Sequence, residues 1–597
     1  MCGFIAAVGA AGSALPERAL KAGLSQMARR GPDAEGVWVD DGVFLGHRRL
    51  AILDLDARSS QPFHSACGRY VVVFNGEIYN FTALKPALIA RGVAFRTTSD
   101  TEVLVELFKA EGEAMLPKLH GMFAFVIWDR QTRRAFAARD PYGIKPLYLA
   151  AVAGGVLLAS QVKALMATGM VSRSPDLKGQ AGFWMLGSVP EPHTWYADVQ
   201  AVPAGGCVWI ADGNKTESRR WLSIGDAWQK ASLDRKPDVR DAPAMVRNAL
   251  LDSARRHLVS DVPVSVFLSG GIDSSVIAAL MAECGASHVQ GVTLAYDEYA
   301  GRHEDEAPVA AQVAAHYGIK HHIRRITREE FLADTPRILQ AMDQPSVDGV
   351  NAWYASKAVA ELGVKVVMSG VGGDELFLGY ETFKTLPRLQ QRWSIAAGMP
   401  GALALGRALG VMQARRTGNN RWRHAAQWAR TMPGVWWLRR SIATAEELPH
   451  LMGSEQARQA LAQFEAEAWV TDMTGQIAAE PTMALAQIES MCYLRNQLLR
   501  DSDWASMDHS VELRTPLVDA HLLDQLTPYL SAFGQFPGKA LLSQAPKIPL
   551  PADVTQRKKT GFGIPVQQWL RGQGTKPAQG PTLSGWAGWM RQIVDAY

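Results

Sequence analysis

The chain of 597 residues has few of the features that would place it in a membrane, outside the cell or on nucleic acid. Its five cysteines are an odd number and include no CxxC pair and no Cys/His pair at zinc spacing, so we expect reduced thiols. No apolar run approaches the length of about 18 residues that a transmembrane helix needs. The formal net charge of +4 is too small to indicate nucleic acid or a membrane as a partner.

The amino-terminal segment 4–15 is apolar, but it lacks the charges that flank a secretory signal. Nothing basic precedes it, and the first charged residue is Glu17, which argues against export. Together with reduced thiols, this predicts a cytoplasmic protein. We expect two or three domains, because one hydrophobic core rarely organises so many residues.

Residues 1–210 predict an α+β layered sandwich. Helical patterns at 17–29, 82–91 and 100–111 interrupt short β-like runs, and they do not alternate with them as in a Rossmann-type domain. The predicted strands lie at 4–8, 43–53, 70–74, 123–128, 134–138 and 156–159.

The pattern changes after a polar stretch at 211–242, which we expect to be a linker. Residues 243–597 begin with alternating strands and helices, which predicts an α/β domain with a doubly wound parallel sheet and helical additions. The stretch from about 385 to 480 is a predicted helical insert rich in tryptophan and arginine. The alternating elements are strands at 262–268, 289–296, 320–326 and 364–368 and helices at 274–283, 304–317, 328–342 and 352–361.

A glycine turn follows the first strand of this predicted sheet and leads into a helix. This geometry lets backbone N–H groups and hydroxyls hold phosphates. The turn lacks the lysine of a GxxxxGK[ST] loop, whereas a Ser-Gly-Gly cradle with an aspartate suits pyrophosphate and magnesium. The candidate residues for ATP and pyrophosphate are Leu268, Ser269, Gly270, Gly271, Asp273, Ser274 and Ser275.

A second loop of the same character, SGVGGDELF at 369–377, follows the last predicted parallel strand. Such loops gather at the carboxyl edge of a doubly wound sheet, where ligands bind. We therefore expect Ser369 and Gly370 to join the ATP site. Asp273 and Asp374 would face one another across the triphosphate and hold Mg²⁺, which prefers carboxylate and phosphate oxygens.

The amino terminus offers a separate chemistry. If Met1 is removed, Cys2 becomes a thiol beside its own α-amine, which titrates near neutrality and can take the thiol proton. Glutamine hydrolysis needs such a nucleophile and base together with an oxyanion cradle. Further motifs follow in order, namely RGPD at 30–33, GHRRL at 46–50, FNGEIYN at 74–80 and SDTE at 99–102.

With these motifs the chain resembles the class II (N-terminal cysteine) glutamine amidotransferases, and most closely the glutamine-hydrolysing asparagine synthetases. The resemblance covers roughly residues 1–390 and 490–570, where RDSDWASM at 500–507 and RKKTGF at 557–562 also fit. It implies an Ntn-hydrolase-like αββα sandwich first and an ATP-pyrophosphatase domain after it.

The resemblance also implies roles for individual residues. Cys2 would be the nucleophile, and Asn75 with the backbone of Gly76 would face the oxyanion. Lys559 would be the cation over the pyrophosphate or the acyl-adenylate. The implied glutamine-binding residues are Arg49, Asn75, Gly76, Glu77 and Asp100, of which the arginine suits the carboxylate of glutamine and the aspartate its α-ammonium.

The activity implied by the resemblance is the ATP-dependent conversion of aspartate and glutamine to asparagine and glutamate, with AMP and pyrophosphate as further products. ATP, Mg²⁺, glutamine and a carboxylate acceptor are the expected ligands, and nucleic acid and membranes are not expected as partners. Ammonia would pass between the two sites through an apolar passage, because ammonium is costly to desolvate. The sequence leaves the oligomeric state of the chain open, with a homodimer as the expectation.

Two departures from the family pattern keep alternatives open. Val371 stands where asparagine synthetases usually carry a glutamate beside the acyl-adenylate, so Glu375 or Asp348 would manage the proton, or the acceptor differs. The insert at 385–480 has two interpretations. Either it consists of amphipathic helices with tryptophans in the core and solvated arginines, or it shapes a pocket for a larger anionic acceptor, such as a sugar acid, a peptide carboxylate or a secondary metabolite. A third hypothesis is a non-catalytic sensor of glutamine or nucleotide.

Overall fold

A computed structural model describes residues 2–10, 15–233, 238–286, 289–557, 563–570 and 586–597. Its first part is built on two antiparallel sheets. Their strands are β1 (Gly3–Gly9), β2 (Ala34–Asp40), β3 (Val43–Arg49), β4 (Phe63–His64), β5 (Tyr70–Ile78), β6 (Gly121–Asp129), β7 (Arg134–Arg139), β8 (Tyr148–Val152), β9 (Gly155–Ala159), β10 (Val199–Ala201), β11 (Gly206–Ala211) and β12 (Asn214–Arg220).

The first sheet has the order β10-β8-β9-β1-β3-β2 and the second β12-β11-β7-β6-β5-β4. In the first sheet β1 lies between β3 and β9, with Phe4 opposite His47 and Ile5 opposite Ala159. Buried side chains from both sheets, such as Val8 and Val126, form one core between them. The nucleophile candidate Cys2 therefore directly precedes a central strand.

Helices cover the outer faces of both sheets. They are α1 (Glu17–Ser25), α2 (Phe81–Ala90), α3 (Asp100–Glu111) and α4 (Val162–Ala167), whereas α5 (Leu177–Leu186) packs in the core of the second part of the chain. Residues of α1 and α4 share a core with the first sheet, and residues of α2 and α3 share one with the second. This confirms the predicted αββα sandwich. The α3 helix begins where the sequence predicts it, because Ser99 caps it by accepting the Thr101 N–H.

The predicted linker at 211–242 is wrong for most of its length. Strand β12 pairs with β11 as an edge strand, and all seven of its residues are exposed, so no apolar pattern reveals it. Helix α6 (Ile224–Leu233) follows and buries Ile224, Trp228 and Ala231 at helical spacing. The two antiparallel sheets thus extend to Arg220.

The second part carries a five-stranded parallel sheet in the order β15-β14-β13-β16-β17. Its strands are β13 (Val264–Phe267), β14 (Gln290–Tyr296), β15 (Lys320–Ile326), β16 (Val366–Met368) and β17 (Glu512–Arg514). Four of them were predicted. The fifth, β17, was not predicted. It is only three residues long, and it begins 144 positions after the end of β16, the strand with which it pairs.

Helices surround this sheet and confirm the doubly wound pattern. Those of the first half are α7 (Ala242–His257), α8 (Ile272–Glu283), α9 (Ala307–Tyr317), α10 (Arg328–Ala341), α11 (Val350–Glu361) and α12 (Gly373–Leu376). The sheet order reverses between β13 and β16, so the loops after these two strands meet at the switch point where ligands bind in such folds.

Apart from β17, the regular structure of the remaining described residues is helical, as predicted for the insert. The helices are α13 (Thr382–Ala396), α14 (Ala402–Thr417), α15 (Arg421–Trp428), α16 (Met432–Arg440), α17 (Leu448–Met452), α18 (Ser454–Leu461), α19 (Ala466–Thr474), α20 (Pro481–Ile488), α21 (Arg500–Met507), α22 (Ala520–Leu526), α23 (Ala540–Ser543), α24 (Ala552–Gln556), α25 (Val566–Leu570) and α26 (Ala587–Asp595). A π-helix spans Glu489–Leu499, and 3₁₀ turns lie at Ala57–Ser59, Gly112–Lys118, Val239–Asp241, Asp297–Tyr299 and Thr527–Gln535. In the described part of the chain, no helix combines the length and the apolar character that crossing a membrane requires.

Candidate active sites

Cys2 lies in a closed pocket in front of β1. The residue is only 7% exposed, and its backbone N–H donates to Asn75 Oδ1 over 3.0 Å. Burial raises the pKa of the Cys2 thiol, while an N–H bond from Leu50 and the nearby charge of Arg49 oppose this shift. A buried thiol of this kind needs a base to become a nucleophile.

Asn75 and Gly76 lie on β5, where Asn75 contacts the backbone of Cys2. Asn75 is fully buried, and its Nδ2 has no hydrogen-bond partner among the described residues. An unpaired buried donor of this kind can stabilise a developing oxyanion. A Cβ on Gly76 would lie 2.0 Å from the Met122 carbonyl oxygen, so only glycine lets β5 approach β6 here.

Arg49 lies at the end of β3, close enough to influence the Cys2 charge. One terminal nitrogen donates to the Asp56 carbonyl over 2.9 Å, and the other to the carbonyls of Leu53 and Asp54. The guanidinium therefore holds the loop that follows β3. The sequence gives no indication that Arg49 holds this loop.

Glu77 and Asp100 form an acidic side of the same pocket. Asp100 Oδ2 accepts the Ile78 N–H over 2.9 Å, and burial raises the pKa of Asp100 to about 6. Burial, together with the charges of Glu512 and Asp100, raises the pKa of Glu77 well above its ordinary value. The structure thus brings Cys2, Asn75, Gly76, Glu77 and Asp100 together, and the acidic side suits a cationic α-ammonium group.

Arg30 connects the nucleophile to the second part of the chain, a contact that sequence reasoning missed. Its Nε donates to the Cys2 carbonyl over 3.1 Å, and its terminal nitrogens donate to Asp503 over 2.6 and 3.1 Å. Lys145 lies 3.5 Å from the same carboxylate. Burial works against the Asp503 charge, but Arg30 and Lys145 hold its pKa below the usual value.

The first glycine loop lies between β13 and α8 and is braced by its own hydroxyls. Ser274 Oγ accepts the Ser269 N–H over 3.1 Å and lies 3.0 Å from Ser269 Oγ. Gly270 has a φ of +66°, a conformation that glycine adopts without strain. The turn places Leu268 at the end of the strand and Ser275 in the first helical turn, as a phosphate cradle requires.

The second loop packs directly on the first. A Cβ on Gly370 would lie 2.8 Å from the Asp273 backbone, and one on Gly373 would lie 2.6 Å from the Asp273 carboxylate carbon. Ser369 donates its N–H to the Arg514 carbonyl over 2.9 Å, which attaches the loop to β17. The two loops therefore form one site at the switch point.

Lys539 lies between the two carboxylates predicted to hold magnesium. Its Nζ is 2.6 and 2.5 Å from the Asp273 oxygens and 2.5 Å from Asp374 Oδ1. Both acids therefore converge on one point, where a cation is held by oxygen ligands. Among the described residues no group of three or more His, Cys, Asp or Glu side chains could hold a metal, so phosphate oxygens would have to complete a Mg²⁺ site.

A cavity of about 360 Å³ lies beside this site. The insert contributes Trp436 and Arg440 to its wall, the π-helix contributes Cys492 and Tyr493, and Asp348 adds a half-buried carboxylate. Burial raises the pKa of Asp348.

A chain of contacts connects the cavity to the second glycine loop. Arg440 stacks 3.5 Å from the Tyr493 ring centre and pairs with Glu489 over 2.8 Å. The same guanidinium lies 5.2 Å from the ring of Tyr380, whose hydroxyl donates to Glu375 over 2.7 Å. Burial, with the Asp374 charge nearby, raises the pKa of Glu375 to about 7.

Val371 and Lys559 are the two other residues that the sequence singles out. Val371 is partly buried against the core, and its N–H donates to Ser369 Oγ over 3.3 Å. Lys559 lies outside the described residues, so its predicted position above the pyrophosphate stays a prediction.

Comparison with known proteins identifies the two parts. Residues 1–222 match the family model of a glutamine amidotransferase domain, and residues 245–596 match the model of asparagine synthase. The chain belongs to the asparagine synthase family. Members of this family that hydrolyse glutamine are ATP-dependent carbon–nitrogen ligases, and the present chain is an amidotransferase of this type.

Relatives extend over the whole chain. Asparagine synthetase 1 of Bacillus subtilis is 30% identical over all of this chain and 91% of its own length. Asparagine synthetase B of Escherichia coli is 32% identical over 61% of this chain and 62% of its own. A protein of Gibberella zeae named an amidase is 33% identical over 61% of this chain and 56% of its own.

Proposed function

We propose that this family member releases ammonia from glutamine at Cys2 and uses it to amidate a carboxylate that ATP has adenylated. One observation carries the proposal, namely that Cys2 with the unpaired Asn75 donor and the convergent pair Asp273 and Asp374 occur in one chain. The contact from Arg30 to Cys2 and Asp503 joins the first site to the second part of the chain.

At the first site the thiolate of Cys2 attacks the side-chain amide carbon of glutamine. Asn75 Nδ2 donates to the oxyanion, ammonia leaves with the proton taken from the thiol, and a γ-glutamyl thioester remains. Water then hydrolyses the thioester to glutamate and restores the thiol. Asp100 and Glu77 would hold the α-ammonium group of glutamine, and Arg49 would face its carboxylate.

At the second site a carboxylate oxygen of the acceptor attacks the α-phosphorus of ATP, and pyrophosphate leaves. Ser269–Ser275, Ser369 and Gly370 would surround the phosphates with N–H groups and hydroxyls. Asp273 and Asp374 would hold Mg²⁺, which neutralises the leaving pyrophosphate when bound, with Lys559 as a further cation. Ammonia then displaces AMP from the acyl group.

The attacking ammonia must lose a proton as the amide forms. Val371 cannot accept it, because its side chain does not titrate. Two acids remain as candidates from the sequence, and their surroundings differ. Asp348 lines the cavity, whereas Glu375 is buried outside the cavity lining and accepts a hydrogen bond from the Tyr380 hydroxyl. For this reason we assign to Asp348 the role of accepting the proton from the attacking ammonia.

Aspartate is the first acceptor to test, and the names of the bacterial relatives support it. The cavity supports a second candidate, a larger carboxylic acid such as a sugar acid or a peptide. Its volume is within the range of sites for whole small molecules, and the insert supplies the aromatic wall at Trp436. Both candidates use the same chemistry.

The test is to incubate the purified protein with ATP, Mg²⁺ and glutamine, with and without aspartate, and to measure glutamate, pyrophosphate and AMP. Aspartate-dependent pyrophosphate release and asparagine formation would establish the first candidate. Glutamate release with pyrophosphate release that ignores aspartate would direct the search to other acids. Formation of ADP and phosphate, or no turnover in either half-reaction, would contradict the proposal and favour a sensor.

A further inference from the structure

The positive charge of the chain is concentrated in one stretch of the insert. Residues 382–445 contain eleven Lys and Arg side chains and no Asp or Glu. Because the whole chain has a net charge of only +4, the remainder is net negative. The overall charge therefore conceals a strongly basic segment, and the sequence-based expectation of no membrane partner depended on that overall charge.

The first part of this stretch, residues 382–428, folds into α13, a turn, and a helical hairpin in which α14 packs on α15. We call this segment the basic hairpin. The inner face of α14 carries small residues. A Cβ on Gly406 would lie 2.6 Å from the Trp393 ring, and one on Gly410 would lie 2.2 Å from the Trp422 carbonyl oxygen. Ala414 completes this inner stripe and is buried.

The outer face of α14 carries the large apolar side chains instead. Leu405, Leu409 and Met412 follow at helical spacing and are 63%, 51% and 61% exposed. Ile395 and Met399, near the turn, are 71% and 62% exposed. A helix on the surface of a globular protein ordinarily buries such residues and exposes its polar ones, so this face marks an interaction site.

Arginines lie on the same helix faces as these apolar side chains. Arg415 and Arg416 flank the outer face of α14, and Arg388 and Arg392 share a face of α13 with Ile395. All four are exposed, and none forms an ion pair with any residue that the structure describes.

We propose that the basic hairpin docks on an anionic lipid surface. Aliphatic side chains at the outer face would enter the boundary between headgroups and acyl chains, while the guanidinium groups bind lipid phosphates. Long arginine side chains suit this position, because their stems can lie against apolar surface while their heads reach the phosphates. The hairpin lies on the surface and does not span the bilayer.

Two other partners fit the same surface less well. Nucleic acid would pair with the arginines, but it offers little to a row of aliphatic side chains, since its affinity depends mainly on phosphate contacts. A second copy of the chain bound through the same face would bring two basic surfaces together, because a two-fold interface places the same patch on both sides.

The experiment measures binding of the full chain to vesicles of phosphatidylcholine mixed with phosphatidylglycerol, and to vesicles of phosphatidylcholine alone, by flotation. We expect binding to the mixed vesicles that weakens with added salt. Each Arg→Gln change at Arg388, Arg392 or Arg416 should reduce partitioning about fivefold. The triple change Leu405→Ser, Leu409→Ser and Met412→Ser should reduce it at least about tenfold with the arginines intact.

Matched controls lie elsewhere on the surface. Arg173→Gln, Arg591→Gln and Ile548→Ser alter equally exposed side chains outside the hairpin and should leave partitioning unchanged. Release of glutamate from glutamine should be the same in all variants, which shows that they fold.

A second measurement does not depend on loss of binding. Met412→Cys labelled with an environment-sensitive dye should report an apolar environment when mixed vesicles are added, whereas the same label at Ile548→Cys should not. Equal binding to neutral and mixed vesicles, or binding that neither set of changes weakens, would overturn the proposal. So would binding to a DNA duplex without binding to vesicles, or a self-associated chain that the triple change makes monomeric.

Discussion

The two candidate active sites differ in how their charges are arranged. Around Cys2 the decisive contacts are hydrogen bonds within a closed pocket, and one amide donor of Asn75 has no partner among the described residues. Around Asp273 and Asp374 the decisive contact is electrostatic, because Lys539 neutralises two partly exposed carboxylates. This difference fits the proposal that the first site binds glutamine and the second binds ATP with Mg²⁺.

Replacing the nucleophile should produce the largest difference between the activities of the two sites. Cys2→Ala should reduce glutamate formation from glutamine at least about 10⁴-fold, because no other group can form the thioester. Pyrophosphate release with ammonium chloride as the nitrogen source should persist, since the second site is untouched. Measuring both products in the same variant checks this, with Cys67→Ala as the matched control at an exposed thiol. Equal loss of both activities would show that the sites are not separable.

Lys539→Met should produce the opposite pattern. Without the ammonium group two carboxylates face each other, and breaking such a charge pair is strongly unfavourable. We expect pyrophosphate release to fall by about 100-fold or more and glutamate formation to stay near its original rate.

Lys547→Met, at an exposed lysine nearby in the chain, is the control and should change neither rate. An unchanged rate of pyrophosphate release in Lys539→Met would show that the lysine only fills the site in the absence of ligand.

Asn75→Ala tests whether the unpaired donor in the first site acts on the transition state. Removal of one oxyanion donor typically costs about 100-fold to 1000-fold in kcat, with a smaller effect on KM. Steady-state glutaminase kinetics check this expectation. A rise in KM with kcat unchanged would assign Asn75 to glutamine binding alone.

Asp503→Asn tests the connection between the sites. The change leaves Arg30 and Lys145 buried without their carboxylate, which should lower the free energy of unfolding by about 3 kcal/mol. Chemical denaturation measures this loss. The ratio of glutamate to pyrophosphate formed should rise if the contact also aligns the two sites, whereas Asp524→Asn on α22 should affect neither quantity.

The smallest expected effect is a pH dependence of glutamine binding. The pKa of Asp100 is raised to about 6, so below that pH the carboxyl is protonated and loses its attraction for an ammonium group. KM for glutamine should rise up to about tenfold per pH unit below 6, and Asp100→Asn should remove this slope.

Protonation of Asp100 at low pH has opposite effects on glutamine binding and on the stability of the fold. It weakens binding but favours the folded state. The folded pKa of Asp100 lies above the reference value of 3.8, so its contribution to stability is complete below about pH 4 and is lost as the pH rises to about 6. Denaturation at several pH values distinguishes this effect from the effect on binding.

Much of the fold follows from local patterns in the sequence. The α3 helix has the predicted bounds because its cap at Ser99 and its apolar spacing are both local signals. The parallel strands β13, β14 and β16 are short, largely apolar runs between helices, and these signals too are local. Strand β12 was missed because an edge strand with seven exposed residues has no apolar alternation.

The residues of the two candidate sites also fall into two groups, those that local motifs reveal and those that only the structure reveals. Cys2, Asn75 and the two glycine loops are visible as motifs, because each consists of neighbouring residues. Lys539 and Asp503 are not, since their partners lie 266 and 473 positions away in the chain. No propensity of a single lysine or aspartate reveals such a partner.

The amino-acid sequence alone therefore determined which chemical groups are present and which strands and helices carry them, because period, caps and glycine turns act over a few residues. Only the tertiary structure decided that Lys539 stands between two acids, that Arg30 reaches Asp503, and that α14 turns its glycines inward and its leucines outward. These outcomes depend on the packing of distant segments, where the free energy of a contact is set by what surrounds it.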